Sequence, residues 1–358
     1  MNSTANYPVE NLHEFCVNVL SAAGVEKSAA EIISESMLLS DLRGVDSHGI
    51  VRLPAYLARI EGGVLDKDGP LEIEKESGAV ALINANNNFG QLAGHKAMHL
   101  AIKKADYSGF GAVFVKNSNH FGMTAYYSMM ALSYDRIGFA ATNSSPAMNP
   151  YGTTVPLLGT NPLSLAIPAD GELPIVLDMA TSVVARGKIR YAALIDKKIP
   201  LGWAVDKDGL STDDPRKALA GSLEAIGGVK GSALSLMIDL LCGVLTNTAL
   251  TGEVKTLTDP SGPSLTGHLF CALNPSFISD TQQFKQNVDT VIRRIKSLPA
   301  VDNKPIFLPG EIEHNLTCQR KEEGIPLKPD VVSSLNQAAL RYGLTELNNI
   351  KTIKKEAI

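Results

Sequence analysis

Apolar residues recur three and four positions apart from Val9 to Ala23, at Leu12, Phe15, Cys16, Val19 and Leu20, and Gly24 follows as a stop. That period predicts an amphipathic helix. A second helix is expected over 27–42, carrying Ile32, Ile33 and Met37 and ending at Arg43-Gly44, and a third over 53–60, closed by Gly62-Gly63. The pattern then changes. Short, largely apolar runs bounded by turn or polar residues at 71–73, 79–84, 112–116, 137–142, 163–168, 175–179 and 268–273 predict strands. Helical periods at 92–107, 232–245, 280–297 and 333–342 are interspersed with them. Helices and strands mixed along the chain predict an α/β fold.

The chain has 358 residues, more than a single core comfortably organises, so two lobes are expected. Hydrophobic residues make up 44% and charged residues 20%, which supplies a core and excludes disorder. With 33 basic and 37 acidic residues the net charge is −4, which offers no field for nucleic acid or an anionic membrane. The apolar stretch at 233–245 contains Asp239 and is too short to span a bilayer. Cys16, Cys242, Cys271 and Cys318 are scattered with no CxxC pair, so they read as reduced thiols without a bound metal. The start MNSTANYPVENLHEF lacks a basic, apolar leader, which implies a cytoplasmic protein. The polar end, KTIKKEAI, is expected to be a solvated tail.

A Rossmann fingerprint is missing. The nearest match, Gly109-Phe110-Gly111, lacks the third glycine and runs into a strand instead of a helix, and no Walker loop, HExxH or GxSxG occurs. Any bound nucleotide must therefore use another architecture. Four other segments carry chemistry. His120 follows the strand at 112–116, where α/β folds place ligands, and an imidazole suits proton exchange with a hydroxyl. The same position would equally serve a histidine that satisfies strand-end backbone groups. In Asp46-Ser47-His48-Gly49-Ile50-Val51-Arg52, His48 and Arg52 share a face if the segment is helical, with Tyr56 one turn on. Arg52 could grip a carboxylate through two parallel hydrogen bonds, or pair with an acidic neighbour on a solvated helix. Gly227-Gly228-Val229-Lys230-Gly231-Ser232 opens onto an apolar helix and would suit a phosphate, or would be a plain helix start with Ser232 as N-cap. Asn143-Ser-Ser-Pro146 and Gly159-Thr-Asn-Pro162 are binding loops or hairpin connections.

Taken in order, DLRGVDSHGIVRLPAYLARIEGG, NSNHFGMTAYYSMMA, GTNPLSLAIP, LDMATSVVARGKI, IPLGWAVDKDG and KGSALSLMIDLLCGVL resemble the malate/L-lactate dehydrogenase family that is distinct from the Rossmann-type lactate and malate dehydrogenases. The resemblance covers 41–245, with a weaker echo to Pro309. It implies a non-Rossmann mixed-sheet cofactor domain over 71–279 beside a mainly helical substrate and dimer domain from 1–70 and 280–358. It implies hydride transfer between NAD, or alternatively NADP, and a small 2-hydroxy or 2-keto acid, malate-like or lactate-like and including sulfolactate, in a homodimer. His120 would be the acid/base residue, with His48 and Arg52 beside it and Ser47, Arg52 and Tyr56 around the substrate. Ser144, Asp178, Met179, Ala180, Lys230, Gly310, Glu311 and Ile312 would contact the cofactor. The stretch 190–198 departs from the basic and acidic pattern usual in the family, and Asp196 is the candidate there for an outer partner of the site. Many members read KGYG where this chain has Lys230-Gly-Ser-Ala233, a variant associated with the imino-acid reductase branch. The alternatives are therefore a cyclic imino-acid reductase or a ureidoglycolate dehydrogenase of the same family and, from another class, a catalytically silent dimeric binding protein.

Overall fold

The computed structural model describes residues 4–347, so KTIKKEAI lies outside the described residues. In chain order the elements are β1 (Ala5–Tyr7), α1 (Val9–Ala22), α2 (Lys27–Leu42), α3 (Leu53–Glu61), β2 (Glu72–Ser77), β3 (Val80–Asn84), α4 (Gly90–Ser108), β4 (Phe110–Ser118), α5 (Thr124–Met130), β5 (Ile137–Thr142), β6 (Leu163–Ile167), β7 (Ile175–Met179), α6 (Arg186–Leu194), β8 (Ala204–Val205), α7 (Pro215–Ala220), β9 (Ser222–Leu223), α8 (Val229–Asp239), β10 (Thr266–Leu273), α9 (Thr281–Lys296), α10 (Glu311–Glu323), β11 (Ile325–Leu327) and α11 (Pro329–Arg341).

Strands β2, β3, β4, β10, β5, β6 and β7 lie side by side in that order in one mixed sheet. Within it β3 and β4 run parallel and the other neighbours antiparallel, unlike the parallel order of a Rossmann sheet. Helix α4 makes the β3-to-β4 crossover and lies flat on the sheet. Small residues permit the approach: a Cβ at Gly94 would stand 2.6 Å from the Tyr127 ring and one at Gly111 would stand 2.0 Å from the Ala101 carbonyl. Because β10 is antiparallel to both β4 and β5, and β6 separates β5 from β7, strands β3, β4, β5 and β7 all point the same way. Their C-terminal ends therefore share one edge of the sheet, which also receives the N-terminal end of β10.

A second core is helical. Leu12, Leu20, Ile33, Met37, Leu53 and Leu57 pack with Ile325, Leu327, Leu335 and Ala339, so the two ends of the described chain build one cluster. Pairing of β1 with β11 joins these ends. Each such buried aliphatic side chain contributes about 1.5–3 kcal/mol relative to exposure. Helix α9, which a boundary at 280 assigns to the helical lobe, finds its polar partners on the sheet side. Asp289 accepts from the backbone amides of Asp170, Gly171 and Glu172, and Lys285 pairs with Asp135 at 2.9 Å.

Helices α5, α6, α7 and α10 escaped the periodicity reading. Their segments are short or mostly polar; α10, for example, buries only Glu311. The helix expected at 232–245 starts earlier, at Val229, and passes into a π-helical turn over Leu240–Val244. Ser232 is not its N-cap: Gly228 holds that place with φ 60°, and the Ser232 hydroxyl, a turn inside, accepts from the Tyr151 amide. Among the described residues no helix is long and apolar enough to cross a membrane.

Candidate active site

The sheet edge defined by those strand ends forms one wall of a cleft of about 800 Å³, within the range of organic-ligand sites. His120 follows β4, Thr142 to Ser144 close β5, and Asp178, Met179 and Ala180 close β7. The opposite wall comes from the end of α2, the 46–52 turn, the start of α6 and the 307–313 segment.

The 46–52 turn is not one helix. Two 3-10 turns, Asp46–His48 and Ile50–Arg52, meet at Gly49, and α3 follows. Gly49 is required by close approach: a Cβ there would fall 1.8 Å from Oδ1 of Asp41. Asp41 is buried, and its other oxygen accepts from the Ile50 amide at 2.8 Å, fixing the turn to α2. Burial pushes its carboxyl up to about 8.

This turn brings His48 against His120, with ring centroids 5.3 Å apart and planes nearly parallel. Nδ1 of His48 faces the Ser47 hydroxyl at 2.9 Å. Arg52 donates from Nε to the Ser47 carbonyl at 2.5 Å, which leaves the forked end of the guanidinium for another acceptor. Tyr56 is fully buried and does not line the cleft; its hydroxyl stands 2.8 Å from Nδ1 of His120. Burial above all holds His120 well below the ordinary histidine range, and the Arg52 guanidinium, like any proton on His48, pushes it the same way. Burial and Arg52 lower His48 to about 4. Both rings are thus neutral near pH 7.

His268 on β10 is a third imidazole and, unlike the other two, is fully buried. It stacks on Phe121 with centroids 4.6 Å apart, and both ring nitrogens are engaged, by Thr142 at 2.7 Å and Ser118 at 2.9 Å. It holds the ends of β4 and β5 in register. Asn119 does similar work, donating to the Asn87 and Asn88 carbonyls.

Ser144, Asp178, Met179, Ala180, Gly310 and Ile312 line the cleft. Asp178 accepts from the Ala125 amide at 3.2 Å, and burial raises its carboxyl to about 7 against the opposing influence of that bond and of Arg43. Gly310, with φ 93°, brings the 308–310 segment onto β7, where Val176 donates to the Pro309 carbonyl. Two expected contacts stand elsewhere. Lys230 is exposed at the head of α8, outside the cleft lining. Glu311 accepts from the Leu308 amide and pairs with Lys296, so its carboxylate secures the entry to α10. Asp196 is not an outer partner of the site: it pairs with Arg216 at 2.8 Å on the surface. Arg43, Arg186 and Arg190 line the cleft and were not singled out from the sequence, because nothing in local spacing indicates that residues so far apart converge.

The cleft lining combines hydroxyls from Ser144, Ser145 and Ser182 with apolar Pro146, Leu177, Phe307 and Ile312. That donor set fits a dinucleotide, whose sugars need hydroxyl partners and whose rings need flat apolar walls. The arrangement defines an α/β enzyme with a neutral histidine pair and an arginine on the wall of a cleft. Residues 7–336 match the family model described as malate/L-lactate dehydrogenase, and the chain belongs to that family. It is 42% identical over 330 residues to malate/(S)-sulfolactate dehydrogenase of Methanothermus fervidus, covering 92% of this chain and 96% of that protein. It is 37% identical over 349 residues to malate dehydrogenase of Pyrococcus abyssi, covering 95% and 96%. The solved sulfolactate dehydrogenase of Methanocaldococcus jannaschii superposes with a TM-score of 0.91 at 38% identity, covering 96% of this chain and 99% of that one.

Proposed function

We propose that this enzyme interconverts a small 2-hydroxy acid, malate-like or lactate-like and including sulfolactate, with its 2-keto acid, using His120 as the acid/base residue. The single observation that carries the reading is the His120 environment: a half-buried, neutral imidazole on the cleft wall, hydrogen-bonded to Tyr56 and flanked by Arg52. Bound nicotinamide, NAD in preference to NADP, supplies the acceptor or donor of a hydride at C2 of the acid. Ser144, the 178–180 strand end, Gly310 and Ile312 would hold it along the cleft. The forked end of Arg52 receives the 2-carboxylate, setting the C2 oxygen near His120.

In oxidation His120 must offer a lone pair at Nε2. Tyr56 serves that state when its oxygen accepts from Nδ1–H of His120. His120 then takes the hydroxyl proton at Nε2, and in reduction returns it to the carbonyl oxygen. Burial and the Arg52 guanidinium oppose protonation of His120, so the base form is the resting form.

A homodimer is the proposed assembly. Met237, Leu241, Leu245 and Leu250 on and after α8 are exposed apolar side chains of the kind a second copy would cover. The scattered free cysteines support a reducing, cytoplasmic setting.

The test is a panel of pyruvate, oxaloacetate, sulfopyruvate and a cyclic imino acid with NADH and NADPH, followed at the nicotinamide absorbance. Turnover of a 2-keto acid is expected. Turnover of the cyclic imine alone would overturn the substrate class, and cofactor binding without any turnover would favour a silent binding protein.

A further inference from the structure

Helix α10 packs on α2 by one face and turns another outward. Its inner face is fixed by Leu316, which lies so close to Gly44 that a Cβ there would stand 2.4 Å from Cδ2, and by Arg320, which donates to the Asp41 carbonyl and pairs with Asp46. His314 and Cys318 are each two positions from those residues, about 200° around the helix, and stand on the outer face. Four residues apart, they lie one above the other. The chain has no CxxC pair, but His314-Asn-Leu-Thr-Cys318 gives a mixed pair at helical spacing. Sγ of Cys318 stands 3.6 Å from Nε2 of His314, and among the described residues neither side chain has another hydrogen bond or an ion pair. The other three thiols are withdrawn: Cys16 and Cys242 are fully buried, which raises both, and burial pushes Cys271 up to about 12. Cys318 is exposed.

A thiol and an imidazole can meet in this way as a weak hydrogen bond. The separation is also that of two ligands on one tetrahedral ion: bonds of about 2.3 Å to sulfur and about 2.0–2.1 Å to nitrogen, opened to the tetrahedral angle, put the donor atoms about 3.5 Å apart. Because Sγ and Nε2 already face each other, chelation requires loss of the thiol proton and no movement of the backbone. Softness selects the ion, since thiolate with imidazole suits zinc and other thiophilic metals over magnesium or calcium. Among the described residues no third His, Cys, Asp or Glu completes the shell, so the remaining positions fall to water and the ion is exchangeable, unlike a closed structural zinc.

We propose that His314 and Cys318 form a two-ligand site for a thiophilic divalent ion, zinc among them, on the outer face of α10. Binding replaces the S–H bond by a sulfur–metal bond and releases the proton to solvent; Nε2 supplies a lone pair, and nothing is oxidised or reduced. The site lies between the two attachments of the helix. Ile312 and Glu313 in its first turn line the cleft, and Arg320 near its end holds the turn that bears His48 and Arg52. An ion on His314 and Cys318 ties together the turns that join these points. The site is independent of the hydroxy-acid reading of the cleft.

The experiment titrates the full-length protein with Cd2+, whose thiolate charge-transfer absorbance reports a sulfur–metal bond, in the wild type and in C318S and H314Q, and then adds Zn2+ as competitor. In the wild type the band should saturate at one equivalent with release of one proton per ion and be abolished by Zn2+, and Zn2+ should raise the melting temperature. C318S should give neither band nor melting shift. H314Q should bind at least about 10-fold more weakly, the lower end of what loss of even an outer-shell partner costs a metal site. H314C, which restores a soft donor at the same place, should recover the affinity. Both side chains lie on the outer face of the helix, so folded variants are expected, and melting without added metal checks this. A band that persists in C318S would assign the thiolate to another cysteine, equal affinity in H314Q would leave Cys318 a solitary thiol, and no band in the wild type would reduce the pair to a hydrogen bond. Each of these results would overturn the inference.

Discussion

The Tyr56 hydroxyl stands 2.8 Å from Nδ1 of His120, although 64 positions separate the two residues along the chain. Tyr56 belongs to α3 in the helical lobe and His120 to the end of β4, so this contact joins the two cores at the point where a proton would move. Tyr56 has no exposed surface, so in the proposed mechanism it acts only through His120.

Replacing His120 by alanine is expected to lower kcat by at least about 10²-fold, the usual loss for an acid/base group, while cofactor Kd stays nearly constant. Steady-state kinetics with a fluorescence titration of cofactor will check this; near-normal turnover would remove His120 from the mechanism.

Tyr56→Phe removes one hydrogen bond and should lower kcat about 2- to 10-fold, with little change in KM. Because the imidazole loses its orienting partner, the pH profile of kcat should also move. A variant that loses melting temperature but keeps both kcat and pH profile would reduce Tyr56 to a packing residue.

Arg52→Lys keeps the charge but loses the planar fork, and kcat/KM should drop about 10- to 100-fold. Unchanged KM and kcat would refute Arg52 as the carboxylate anchor.

His120 lies well below the ordinary histidine range through burial, His48 and Arg52. The neutral base form therefore persists as pH falls, and kcat/KM for oxidation should stay level through pH 6.5 and decline only at lower pH. Arg52→Gln removes one of the opposing charges, so the acid limb should shift upward even though the rate is lower. An acid limb at or above pH 6.5 in the wild type would contradict the assignment.

Asp41 gives a stability prediction of definite sign. Its folded pKa is raised by burial to about 8 from the ordinary aspartate value of 3.8. Between those two values the folded state binds a proton that the unfolded state releases, so this group makes the protein less stable as pH rises from about 4 to about 8. Asp41→Asn keeps an acceptor for the Ile50 amide and should flatten the decline of melting temperature over that window. Gly49→Ala, which forces a methyl into the Asp41 carboxylate, should destabilise by about 1–3 kcal/mol in denaturant titrations. If D41N melts with the wild-type pH slope, the buried carboxyl is not the source.

Much of the fold was legible in the chain. The strands over 137–142 and 175–179 occupy the predicted positions, and α1 to α4 follow the expected periods within a few residues, because burial of one face writes itself into spacing. His120 past a strand end and Arg52 in the DSHGIVR segment could likewise be singled out, and the ordered motifs pointed to the family. Helices α6 and α10 were missed because they bury few residues and so leave little periodic signal.

What the chain alone determined was thus local: which segments are helix or strand, which residues bear useful chemistry, and that no Rossmann phosphate loop exists. Tertiary structure decided the rest. Strand β10, late in sequence, lies between β4 and β5, and its direction sets four strand ends on one edge. Only that arrangement puts Tyr56 behind His120, engages both nitrogens of His268, removes Lys230 and Glu311 from the cleft wall, and gathers Arg52, Arg186 and Arg190 around one space. Periodicity reports which face of an element is buried. It carries no information about which distant element covers that face, and the charge of this cleft depends on that pairing.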